Sequence, residues 1–142
     1  MRYQNVAVSA FILHEGKALI VQRATNEDFL PNKWEQVGGK VEWGENPFGG
    51  LVREVKEESG LEVQPVQTYW VWSYTPQGER QTIEVAVMCE IVGGAEVTLS
   101  SEHQAYRWAT EEEVRALSDA DITKPMREEI LAGFEFLRRW QA

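Results

Sequence analysis

The chain has 142 residues, of which 43% are hydrophobic and 11% aromatic, and a formal net charge of −9. That is enough material for a sizeable core, and one domain over residues 1–142 is expected. The acidic balance excludes nonspecific binding to nucleic acid or to anionic membranes, since both need a basic surface.

Asn5 to Leu13 and Lys17 to Arg23 are apolar and β-branched and flank His14-Glu15-Gly16, the pattern of a hairpin. Ala24 to Lys33 reads as a polar loop containing Phe29 and Pro31, and Trp34 to Val37 as a short strand entering a glycine turn at Gly38-Gly39. Residues 39–61, GKVEWGENPFGGLVREVKEESGL, predict a turn followed by a helix. Asn46 suits the N-cap, Pro47 the first helical position and Gly60 the left-handed residue past the end. Phe48, Leu51, Val52 and Val55 recur at helical spacing and predict a buried stripe. Within the helix, Gly49 and Gly50 each cost about 1 kcal/mol relative to alanine, which suggests close backbone packing against a sheet.

Glu62 to Tyr74 and Thr82 to Val92 read as partner strands around a Thr75-Pro76-Gln77-Gly78 turn, with Gln104 to Ala109 as a further short strand. Thr110 and Glu113 have capping-box form and open a short helix. Pro125 opens the last helix, in which Met126, Ile130, Leu131, Phe134, Leu137 and Trp140 form an apolar stripe. The order of elements suggests a mixed β-sheet with helices on both faces. No stretch approaches the length of a membrane span. Arg2 and the strand pattern after it are unlike a signal peptide. The single cysteine, Cys89, lies in an apolar run, suits a reducing cytoplasm and reads as a buried structural thiol.

Glu54, Glu57 and Glu58 fall on one side of the helix at about 100° per residue. Like charges so placed repel one another, and a divalent cation taking oxygen ligands offsets that cost. A charge run is ordinarily a solvated face. A solvated face, however, needs neither the flanking glycines nor a spaced Glu45, nor Arg53 four residues before Glu57 as a brace.

Gly39, Glu45, Arg53-Glu54, Val55, Glu57-Glu58, Gly60 and Leu61 match every fixed position of the Nudix box, and the chain resembles the MutT-like Nudix hydrolases. The resemblance implies an αβα sandwich and a Mg²⁺-dependent enzyme, with Mn²⁺ as a substitute. Its substrate would be a small-molecule nucleotide cut by water at a pyrophosphate bond. By position, the resemblance implies Glu57 and Glu58 as metal ligands, Glu54 as a third ligand or the water-orienting base, and the Gly38 carbonyl as part of the shell. Glu102, six residues before Trp108, matches a further acidic ligand. Glu54, Glu45 and Glu102 all stand as candidates for the general base. Lys40 and Arg23 match places where basic residues meet phosphate. Trp70, Trp72 and Tyr74 alternate along one strand and present a stacking surface for a base, a core stripe or a homodimer interface; Phe29 is a second stacking candidate. His103 could hydrogen-bond in the site but reads first as a surface histidine, and His14 sits in a turn. Thr123 stands where members that read oxidised guanine often carry asparagine, so strict 8-oxo-dGTP preference is not expected. Cleavage of nucleoside triphosphates, intact or damaged, to the monophosphate and pyrophosphate is the leading expectation. Behind it stand a pyrophosphatase of ADP-ribose (suggested by Pro76, fifteen residues past Leu61), nucleoside-diphosphate sugars or dinucleoside polyphosphates, and a nucleotide-binding regulator without turnover.

Overall fold

The computed structural model describes residues 1–141, the side chains of Pro76, Gln77 and Gln141 excepted. Its axis is strand β1 (Tyr3–His14), followed by β2 (Lys17–Arg23), β3 (Trp34–Glu35), β4 (Val37–Lys40), helix α1 (Pro47–Ser59), β5 (Val63–Gln77), β6 (Arg80–Ile91), β7 (His103–Ala109), α2 (Glu111–Ala116) and α3 (Lys124–Gln141). Strand β1 runs parallel to β6, from Tyr3↔Arg80 to Ile12↔Cys89. On its other edge it is antiparallel to β4, from Ala7↔Lys40 to Ala10↔Val37. The far end of β1 turns into β2 through Glu15 and Gly16, whose φ values of 52° and 78° are those of a tight primed turn. Strand β2 then carries β3 and β7, and β6 carries β5, completing a seven-stranded mixed sheet.

Alternation along β1 divides the core in two. Val8, Ala10 and Ile12 pack with Leu51 and Val55 of α1 on one face. Phe11 packs on the other with Val114 of α2 and Ile130 and Phe134 of α3. The result is the expected αβα sandwich. The ends of α1 follow the sequence: Asn46 accepts a hydrogen bond from the Phe48 amide at 2.9 Å, and Gly60 takes φ 75°. Both halves of the Thr110–Glu113 capping box form. Cys89 is buried, which pushes its thiol up to about 12, and it belongs to the core. No helix among the described residues is long and apolar enough to cross a membrane.

Four local expectations are corrected. Gly38 and Gly39 lie within β4 and do not form a turn. A Cβ on Gly38 would stand 2.0 Å from the Val8 carbonyl oxygen, so the glycine is required by the closeness of β1. The β5–β6 reversal occurs at Gly78 and Glu79, past the anticipated Thr75–Gly78 turn, because β5 continues to Gln77. Phe48 is exposed, and the buried face of α1 runs through Leu51, Val55 and Ser59. Gly49 has open space around it, while a Cβ on Gly50 would stand 2.6 Å from the Glu45 carboxylate, so this glycine faces that group and not the sheet.

Gly133 of α3 is packed against Phe11, with an added Cβ only 2.3 Å from the ring. Gly133→Ala gains about 1 kcal/mol of helix propensity. It must also displace a wholly buried ring, at a cost of roughly 1–3 kcal/mol or more. Urea unfolding is expected to show net destabilisation; a stabilised variant would contradict this packing.

Candidate active site

The side chain of Arg53 organises the polar face of α1. Its Nε donates to Glu45 Oε2 at 2.7 Å and its Nη2 to Glu45 Oε1 at 3.1 Å, a bidentate pair. The remaining nitrogen, Nη1, donates to Glu54 at 3.1 Å and to Glu57 at 3.2 Å. The fork raises the pKa of Arg53 and holds Glu45 at about 2 through those hydrogen bonds. With both oxygens engaged and a depressed pKa, Glu45 is suited to bracing Arg53 and poorly suited to taking a proton. Gly50 leaves room for the Glu45 carboxylate, and Gly39 does the same for that of Glu54, which lies 2.4 Å from where a Cβ would be.

Glu58 points the other way, into the interior. It is 4% exposed, and its Oε2 has no hydrogen-bond partner. Burial is the main influence raising its pKa, followed by a hydrogen bond to Glu54 and by the charges of Glu102, Glu54 and Glu35. Beside it, His103 of β7 is buried, its Nε2 2.8 Å from Glu35 Oε2 and its Nδ1 3.6 Å from Glu58 Oε1. The surface reading of His103 is therefore corrected: the β7 register carries it under Arg23 of β2. His14, by contrast, stays at the hairpin, tilted against Trp108.

Glu58 and Glu35 open onto a cavity of about 370 Å³ between β1, β4, β6 and the loops after β2 and before β7, whereas Glu45, Arg53, Glu54, Glu57 and His103 stand outside its lining. Of the expected site residues, Gly38, Lys40, Arg23, Phe29, Glu58 and Glu102 line it. A larger cavity of about 780 Å³ lies at the far end of α3, but it is mainly apolar and holds no carboxylate cluster. Lys40 is exposed and forms no ion pair among the described residues. Arg23 is already committed: its Nε donates to the Phe29 carbonyl at 2.8 Å and its Nη1 to Glu35 at 3.2 Å. Trp72 does not reach the cavity. Its indole N–H donates to Glu129 at 2.9 Å, and Tyr74, 4.9 Å away ring to ring, occupies the wall instead. Trp70 is carried to the outer rim of α3, where it is 40% exposed. Glu57 remains largely exposed on the Arg53 side.

Sequence reading missed Ser9, Gln36, Thr82, Glu84 and Met126 in the wall, and Glu129 behind it. Polar residues at inward positions of β1 and β6, and a glutamate in the apolar stripe of α3, were the available signals.

The fold and this site define a protein that gathers carboxylates on a turn-bounded helix beside a polar cavity. A NUDIX domain model matches residues 3–130. The chain therefore belongs to the NUDIX domain family and is a hydrolase of phosphoric anhydride bonds. It is 35% identical over 111 residues to a MutT-like protein of Streptomyces ambofaciens, covering 78% of this chain and 66%, just under two thirds, of that protein. It is also 35% identical over 130 residues to CTP pyrophosphohydrolase of Escherichia coli strain K12, covering 88% of this chain and 90% of that one. The crystal structure of a MutT protein from Methanosarcina mazei Go1 superposes with a TM-score of 0.82 at 26% identity, covering 99% and 98% of the two chains.

Among the described residues no three His, Cys, Asp or Glu side chains are already gathered as a metal cage. The donors nevertheless fit a hard cation. They are all oxygens, Glu58 Oε2 is buried and unpartnered, and Glu54 and Glu102 flank it. Because Arg53 holds Glu54 and Glu57 in place, Arg53→Lys should weaken Mg²⁺ binding about 10–100-fold, since lysine cannot reproduce the fork. Isothermal titration of the free protein measures it; unchanged affinity would remove Arg53 from this role.

Proposed function

We propose that the protein is a Mg²⁺-dependent hydrolase of nucleoside triphosphates, intact or damaged, releasing the nucleoside monophosphate and pyrophosphate. The observation that carries this is the buried, unpartnered Glu58 oxygen where Glu54, Glu102 and the Lys40-bearing strand meet. The triphosphate assignment is supported by the name of the Escherichia coli relative, which is similar over most of both chains.

Glu54, Glu57, Glu58 and Glu102, with the Gly38 carbonyl, are the groups that would hold the cation. When bound, it supplies charge neutralisation at the phosphate oxygens and acidifies coordinated water. The chain's own residues do the rest. Lys40 meets the phosphates as a free point charge. Arg23, held by Glu35 and the Phe29 carbonyl, is positioned beside them and fixes the loop that carries Phe29. Phe29 and Tyr74 offer aromatic faces to the base from opposite elements. Water attacks phosphorus, the bridging P–O bond breaks, and the water proton passes to a carboxylate. Glu54 and Glu102 are placed to take it, whereas Glu45 is engaged by Arg53. Arg53 keeps α1's carboxylates from collapsing together or drifting into solvent, so the site is set before substrate arrives.

Assays with Mg²⁺ across NTPs, dNTPs, oxidised dNTPs, ADP-ribose and dinucleoside polyphosphates test this reading. Pyrophosphate release from triphosphates is expected, with Glu57→Gln lowering kcat at least about 100-fold at similar thermal stability. AMP from ADP-ribose with triphosphates inert would transfer the assignment to an ADP-ribose pyrophosphatase. Equal nucleotide binding without turnover in either protein would indicate a binding module.

A further inference from the structure

His103 takes no part in the chemistry outlined above, yet it is buried behind the cavity with its side chain only 1% exposed. An imidazole costs more to bury than an apolar side chain of its size unless its nitrogens are used. The backbone brings the ring there from two directions. On one side the segment before β7 is tied to the last turn of α1, where the Ser100 amide donates to the Glu58 carbonyl at 3.2 Å. On the other it is tied to the loop after β2, where the Ala24 amide donates to the Glu102 carbonyl at 2.9 Å. A register shift between Gln22 and Arg23 then sets Arg23 opposite His103.

The ring therefore lies between two carboxylates. Its Nε2 is hydrogen-bonded to Glu35 Oε2 at 2.8 Å, and the same oxygen accepts from Arg23 Nη1 at 3.2 Å. Arg23 in turn donates from Nε to the Phe29 carbonyl at 2.8 Å. The other ring nitrogen, Nδ1, faces Glu58 Oε1 at 3.6 Å and has no hydrogen-bond partner. That separation is longer than a hydrogen bond, so Nδ1 is a buried group still without its counterpart. Carboxylates that ligate a metal are themselves held by hydrogen bonds from the side chains around them. Nδ1 is the nitrogen in place to do this for Glu58, and in its cationic form the ring donates from both nitrogens.

Given the cation and nucleotide reading above, we infer that His103 is a positioning residue for both halves of the site. Through Nδ1 it holds Glu58 for the cation. Through Nε2 it holds Glu35, and with it Arg23 and the loop of Phe29, for the nucleotide. His103 itself touches neither ligand, since its ring stays outside the cavity lining. One buried ring thus fixes the carboxylate that meets the metal relative to the loop that meets the base.

Two conservative substitutions separate the halves. The amide nitrogen stands where Nδ1 does in His103→Asn, and where Nε2 does in His103→Gln. Calorimetric titration of the free protein with Mn²⁺ is expected to give His103→Asn an affinity within about threefold of wild type, and His103→Gln one at least about tenfold weaker. With Ca²⁺ saturating each protein, the order reverses for CTP: His103→Gln stays within about threefold, and His103→Asn weakens at least about fivefold. A purely structural histidine would lose both affinities together in both variants, in step with urea stability, and that result overturns the inference. Unchanged affinities in both variants, or the opposite crossing, overturn it too. Imidazole ¹⁵N NMR of the wild type gives a second measurement, since the chain has two histidines and His14 at the hairpin serves as reference. Saturating Mg²⁺ should shift the ring nitrogens of His103 and leave those of His14 in place. A His103 signal that stays still while Mg²⁺ binds overturns the inference, and this measurement decides alone if neither variant folds. Wild-type protein that binds neither ion refutes the cation reading and this inference with it. The crossed pattern without turnover of any triphosphate would refute the proposed hydrolysis and leave the role of His103 standing.

Discussion

The arrangement of the site depends on one guanidinium. Glu54, Glu57 and Glu58 follow one another on little more than one turn of helix, and their mutual repulsion alone would drive them outward. Arg53 prevents that by donating to Glu54 and Glu57 from a single nitrogen while its other edge is locked on Glu45. Glu45 is thus engaged on Arg53 through both of its oxygens. Its bidentate pair fixes the plane of the fork, and the fork fixes where the neighbouring carboxylates stand. Only Glu58 escapes, and it does so by turning into the protein, where burial favours its neutral form and leaves one oxygen without a partner.

Such crowding requires backbone that comes unusually near, which accounts for the glycines. A side chain on Gly38 would strike β1, and one on Gly39 would occupy the space of the Glu54 carboxylate. Gly50 performs the same service for Glu45 inside a helix, where glycine otherwise costs about 1 kcal/mol. Gly39 and Gly50 are therefore explained by the volume of carboxylate groups and Gly38 by the nearness of β1, and none of the three by backbone freedom, since none adopts positive φ.

Much of this was legible from residue order. The helix of the box, its Asn46 and Gly60 ends, the capping box at Thr110 and the two-sided sheet follow from local rules that tertiary packing did not override. The candidate ligands could be placed because they lie on one helix at known angular spacing. What escaped was set by register between distant segments. His103 sits under Arg23 only because β7 pairs with β2, which no local pattern announces. Trp72 and Tyr74 do share the strand face that alternation predicts. Which of them touches the cavity, however, is decided by Glu129, 57 residues further on, taking the indole of Trp72. The Gly38-Gly39 pair misled for a similar reason, because glycine in a strand pressed on its neighbour looks, in sequence, like glycine in a turn.

The two ends of the cavity have opposite chemical requirements, and the fold separates them. Toward α1 the lining is carboxylate with Lys40 and Arg23 nearby, a setting that suits phosphates only once a cation offsets the acids. Toward α3 the carboxylate of Glu129 is held by three donors, from Ser9, Gln36 and Trp72, while Arg80 and Glu84 of β6 stand together in the wall. Glu129 thus finds its counterparts within the protein, whereas Glu58 keeps an oxygen without one.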